Sequence, residues 1–171
     1  YYPRETLDTH LKHLFSRSGQ TTQVINADSS TNVVLILVEN LTAKAIDFRH
    51  KDTPVTPYLN GLKEQAIWFE NIYAAADRTD KTVVSVLSGY PAQPKEALVE
   101  YSEKVKNIPF LSNVFNQNEY STQFYYGGDA GFLSLKDYLF ASNFEKILEK
   151  DDFDVSSDLS SLGAADGVVY Q

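Results

Sequence analysis

The chain has 171 residues, with 15 basic against 23 acidic side chains and a formal net charge of −8. Its 43% hydrophobic and 13% aromatic content fits one folded domain and excludes general disorder. The acidic balance excludes nucleic acid as a partner, because neutralising a phosphate backbone takes clustered Lys and Arg. No window reaches the roughly 18 apolar residues of a spanning helix. The absence of cysteine removes disulfides, thiolate metal sites and cysteine nucleophiles. The absence of methionine, including one at position 1, leads us to expect a fragment of a longer chain.

In chain order, Leu7, Leu11, Leu14 and Phe15 repeat at helical spacing and lead into a polar linker, Ser18 to Asn32. Residues 1–31 therefore read as a helix and linker preceding a domain over 32–171. His10 and His13 lie three apart on that helix, but no third metal ligand is nearby, and exposed histidines on a polar face are the ordinary reading. The unbroken apolar run Val33 to Val38 predicts a strand buried on both faces of a parallel sheet. Thr56-Pro57 opens a predicted helix, and Ile67 to Tyr73 then alternates like a strand. A second helix is predicted from about Thr79 to Leu87, stopping at Ser88-Gly89, and a third from about Phe110 to Gln117. Tyr120 to Tyr126 is strand-like and is broken by Gly127-Gly128-Asp129. Leu133 to Leu139 and Phe144 to Leu148 carry apolar positions around a further helix, and Lys150 to Ser161 reads as an exposed acidic loop. Strands alternating with helices predict an α/β fold, a mostly parallel sheet with helices on both faces.

In such a sheet, polar residues just after a strand sit where ligands bind. Glu39 directly follows the apolar run. It reads either as a carboxylate compensated by a divalent cation or as a cap or a partner of Lys44. Asp77 to Thr82 opens a helix, whose N-terminus favours anions. Thr79 there reads as an ordinary N-cap or as a metal-activated nucleophile, with Arg78 and Lys81 holding an anionic group. Asp129, after two glycines that permit close backbone approach, reads as a site residue or as an Asx turn.

The ordered set of these segments resembles the alkaline-phosphatase-like sulfatase superfamily, in its lipoteichoic acid synthase and phosphoglycerol transferase branch. The segments are Asn32-Val-Val-Leu-Ile-Leu-Val-Glu39-Asn40, Thr56-Pro57-Tyr58-Leu59, Trp68-Phe-Glu-Asn-Ile-Tyr73, Arg78-Thr79, Val86-Leu-Ser-Gly-Tyr-Pro91, Phe124-Tyr-Tyr-Gly-Gly-Asp129, and Gly163-Ala-Ala-Asp166. The resemblance implies an alkaline-phosphatase-like fold, incomplete at the C-terminus, with this chain forming about half of a larger catalytic domain. It implies Glu39 and Thr79 as ligands of a divalent cation, most often Mn²⁺, with Mg²⁺, Zn²⁺ or Ca²⁺ as alternatives.

Thr79 would attack a phosphodiester and become transiently phosphorylated, while Arg78, Asp129 and Lys136 would contact substrate. The remaining ligands, an Asp-His pair and usually a further carboxylate, are expected beyond residue 171, so the fragment alone should be inactive. The implied activity is a phosphoglycerol-type transferase or phosphodiesterase acting on an anionic phospholipid or glycan. Its implied location is the cell envelope, outside the cytoplasmic membrane and anchored through segments outside this chain. The alternatives are a phosphoethanolamine transferase, a sulfatase-type ester hydrolase and a catalytically silent relative. Lys81 stands where the sulfatase nucleophile motif has proline, and the lack of cysteine speaks against both the Cys-derived sulfatase nucleophile and the disulfide-rich transferases.

Overall fold

A computed structural model describes residues 3–15, 31–132, 134–153, 159–160 and 163–170. The chain divides into two compact units, Tyr1–Val38 and Glu39–Gln171. In the first unit α1 covers Arg4–Phe15, as its leucine spacing predicts, with Leu7 and Leu11 still exposed. Most of the predicted linker lies outside the described residues. The run Val33 to Val38 is not the buried central strand its composition predicts. It forms no strand, and its side chains are 41% to 82% exposed. Strand propensity expresses packing against neighbouring strands, and no partner strand pairs with this run among the described residues.

The second unit opens with a turn at Glu39-Asn40, where Asn40 takes φ 58°, a conformation that asparagine tolerates better than most residues. Helix α2, Ala43–Asp47, is capped by Thr42, whose hydroxyl accepts from Ala45 N at 3.3 Å. The short antiparallel strands β1, Arg49–His50, and β2, Thr53–Pro54, lead to α3, Pro57–Leu62, with Pro at its start as predicted. The predicted strand Ile67 to Tyr73 is absent: Phe69, Ile72 and Tyr73 are exposed and unpaired with any strand. Its alternation is a property of one segment, whereas a strand exists only in a ladder.

Helix α4, Thr79–Ser88, ends at Gly89 with φ 60°, ψ 20°, the left-handed stop read from Ser88-Gly89. Its inward face, Val83, Val84 and Leu87, packs into the core with Leu98, Val99 and Phe110. Helix α5 is Ser102–Val105, and α6 is Leu111–Gln117.

Strand β3, Gln123–Tyr125, is followed by α7, Leu135–Ala141, and then by β4, Lys146–Leu148, which pairs with β3 in parallel. This is a βαβ unit. Phe144 to Leu148 thus yields a strand rather than more helix, with Phe144 against Phe124 at 5.4 Å between ring centroids. Tyr138 and Leu135 are fully buried; Tyr138 meets Phe110 edge-on and shares a 2.7 Å hydrogen bond with Ser88 of α4. The strands β5, Leu159–Ser160, and β6, Gly163–Ala164, form an antiparallel pair, and α8 is Asp166–Val169. The sheet content of the described residues is therefore one parallel pair and two small antiparallel pairs, not one broad sheet.

Candidate active site

Glu39 and Thr79 are forty residues apart in sequence and in contact in the structure: Thr79 Oγ1 donates to Glu39 Oε2 at 2.5 Å. This contact sets aside the capping reading of each residue. The N-cap of α4 is Arg78, with extended φ −142° and ψ 153°, and Thr79 is the first helical residue. The hydroxyl therefore does not cap the helix; it points to a carboxylate. Glu39 in turn neither caps α2, a role taken by Thr42, nor accepts from Lys44.

The cations around the helix start are engaged. Arg78 Nη2 lies 2.6 Å from Asp80 Oδ2, and Asp80, 1% exposed, also accepts from Lys81 N at 2.9 Å. A buried carboxylate is tolerable only with such partners, and the first turn of a helix adds favourable dipole. Lys81 is buried and reaches out to Asp77 at 3.0 Å, a bond that holds the Asp77 carboxyl below its usual pKa.

At the end of β3, Asp129 Oδ1 accepts from Gly131 N at 2.7 Å, the Asx turn its sequence context allows. The two glycines before it are needed for close packing. Gly127 O accepts from Ala164 N at 2.8 Å, and a Cβ on Gly163, at φ 135°, would lie 2.1 Å from that same oxygen. Gly163→Ala is therefore expected to destabilise the fold by about 2–4 kcal/mol, read as a lower urea midpoint at unchanged slope. An unchanged midpoint would show that this approach is not needed.

Tyr126 is a residue the sequence reading missed. A Cβ on Gly128 would lie 2.8 Å from Tyr126 Oη, so glycine there seats the phenol. Its pKa is raised first by burial, then by the charges of Glu39 and Asp129, which brings all three groups into one electrostatic neighbourhood. Glu149 was missed as well. It follows β4 as Glu39 follows Val38, and its carboxylate takes Lys136 Nζ at 3.0 Å on one oxygen and Ala130 N at 3.1 Å on the other. The structure thus brings Glu39 to Thr79, places Asp129 near Tyr126, and holds Lys136 on Glu149 and Arg78 on Asp80.

Glu39 and Thr79 offer two adjacent hard oxygen donors, which fits a divalent cation. Among the described residues no group of three His, Cys, Asp or Glu is placed to hold a metal.

Two solved structures of alkaline-phosphatase-like architecture share the fold of this chain. One is a protein in the alkaline phosphatase superfamily from Vibrio parahaemolyticus, at 30% identity and TM-score 0.61, covering 68% of this chain and 29% of its own. The other is the lipoteichoic acid synthase LtaP from Listeria monocytogenes, at 19% identity and TM-score 0.66, covering 74% of this chain and 31% of its own. The Sulfatase family matches residues 31–165, and the chain belongs to that family. Its superfamily handles phosphate and sulfate esters by hydrolysis or transfer and is generally dependent on divalent metals. The chain spans less than a third of the length of either solved structure.

Proposed function

We propose that the protein carrying this chain is a phosphoglycerol-type transferase or phosphodiesterase that acts on a lipid-linked or glycan substrate through Thr79. The observation that carries this reading is the 2.5 Å contact between Thr79 Oγ1 and Glu39 Oε2, which withdraws the hydroxyl from helix capping and orients it with a carboxylate. Glu39 and Thr79 would hold a divalent cation, Mn²⁺ in this reading, which when bound supplies charge stabilisation at the hydroxyl and phosphoryl oxygens.

Thr79 Oγ forms a bond to phosphorus as the bond to the leaving alcohol breaks, and the proton that the hydroxyl gives up ends on the leaving oxygen. A second hydroxyl, or water, then attacks the same phosphorus, and its proton goes to Thr79 Oγ as that oxygen is freed. Arg78 and Lys136 would donate hydrogen bonds to the phosphoryl oxygens, and Asp129, in the turn after β3, would contact substrate. An anionic phospholipid or glycan partner and a cell-envelope location outside the cytoplasmic membrane follow from the same reading. Among the described residues, no helix is long and apolar enough to cross a membrane.

The test is to incubate the intact protein with Mn²⁺ and phosphatidylglycerol, quench, and map the peptides by mass. A glycerophosphoryl adduct on the peptide bearing Thr79 is expected. Lipid turnover with the adduct on another residue, or with none, would refute the role of Thr79.

A further inference from the structure

We infer that Glu149 is a specificity-determining residue, which neutralises Lys136 and so disfavours dianionic phosphate monoesters relative to monoanionic phosphodiesters. The inference rests on the assignment of Lys136 as a substrate contact and adds to it the charge class that the contact accepts.

Three observations converge. First, one carboxylate serves two partners: Glu149 Oε1 is 3.0 Å from Lys136 Nζ, and Oε2 accepts from Ala130 N at 3.1 Å. These are the two kinds of donor, an ammonium and a turn amide, that phosphate oxygens would otherwise take. Second, the carboxylate is held in place. Glu149 N donates to Asp152 Oδ2 at 2.9 Å, and Lys150 N donates to Gly128 O at 3.1 Å, so the segment after β4 is tied to the turn after β3. Third, Lys136 is only half-buried, with 51% of its side chain exposed, so two of its three ammonium protons remain for a ligand after one is given to Glu149.

Lys136 therefore presents donors without a net positive charge. Asp129 and Asp151 add to the negative surroundings: after Glu149, their charges help to raise the Lys136 pKa. Both esters can use the donors, but each unit of ligand charge meets the same carboxylate. The repulsion is about twice as large for a dianion as for a monoanion at the same distance. Diester and monoester are thus separated by charge at a single residue, without any difference in pocket shape.

The experiment measures binding rather than turnover. The intact protein and its Glu149→Gln, Glu149→Ala and Lys136→Ala variants are titrated at pH 8 with methyl phosphate, there a dianion, and with dimethyl phosphate, a monoanion, and dissociation constants are read from NMR shifts. Glu149→Gln keeps an oxygen for Ala130 N while removing the charge, and protection of the Ala130 amide from exchange reports that the turn is intact. It is expected to tighten methyl phosphate about fivefold more than dimethyl phosphate. Glu149→Ala should change the ratio by a similar factor while Ala130 loses protection, and Lys136→Ala should weaken both ligands. A methyl-to-dimethyl ratio unchanged in Glu149→Gln overturns the inference and leaves the Lys136 assignment standing. No effect of Lys136→Ala on either ligand removes that assignment and this inference together, while the mass-mapped adduct on Thr79 is decided separately.

Discussion

Thr79→Ala is expected to lower phosphodiester turnover by the intact protein by at least about 10³-fold, because it removes the oxygen that attacks phosphorus in the proposed reaction. Glu39→Gln is expected to cost a comparable factor. Thr79 Oγ1 and Glu39 Oε2 share one hydrogen bond, and in the proposed reaction the two side chains serve the same cation and the same nucleophilic oxygen. The double variant should be hardly worse than either single one, since residues that act as a unit are strongly non-additive. The measurement is kcat/KM on a lipid or aryl phosphodiester, with folding checked by circular dichroism. Additive losses would mean that the two side chains act independently, and activity retained in Thr79→Ala would end the nucleophile reading. Thr79→Ser, which keeps an oxygen at the same position, should restore part of the rate. That rescue separates a chemical role from the packing of a β-branched side chain.

The same pair shows what was legible in the sequence. Local signals located α1, α3 and α4, though not the short α2 and α5: Thr56-Pro57 starts α3, Gly89 stops α4, and the leucines of α1 lie at helical spacing. Each of these depends on residues within a few positions of one another. The two failed strands, Val33 to Val38 and Ile67 to Tyr73, are the opposite case. Their composition is strand-like, yet a ladder needs a neighbour that no local pattern specifies, and none of the described residues provides it. β3 was legible within the strand-like stretch Tyr120 to Tyr126, which two glycines break. β4 was not, since its three residues become a strand only by pairing with β3.

The site divides along the same line. Local physics left Glu39 and Thr79 each with an ordinary alternative, and family resemblance, not spacing, joined them. The structure then removed the alternatives by giving the N-cap to Arg78 and the α2 cap to Thr42. Tyr126 had only an indirect local signal, the glycine two residues on that leaves room for its phenol. Glu149 did have one, since it follows Ile147-Leu148 as Glu39 follows Val38.

The second large effect concerns the core that carries α4. Leu135→Ala is expected to destabilise the fold by about 2–5 kcal/mol, the range for removing a fully buried leucine from a site that collapses only in part. Leu135 is 0% exposed at the head of α7, where its amide donates to Ala130 O at 2.9 Å and its side chain joins Tyr138 and Leu139 in the buried cluster. Tyr138 in turn holds Ser88 at the last turn of α4, so a cavity at Leu135 loosens the helix whose first residue is Thr79. Phe140 on the same helix is 72% exposed and serves as the internal comparison. Phe140→Ala is expected to change stability by no more than about 0.5 kcal/mol. Urea unfolding of the two variants beside the parent supplies the numbers. Equal effects from Leu135 and Phe140 would mean that α7 does not bury the face described, and with it would go the packing that fixes α4 and the head of the candidate site.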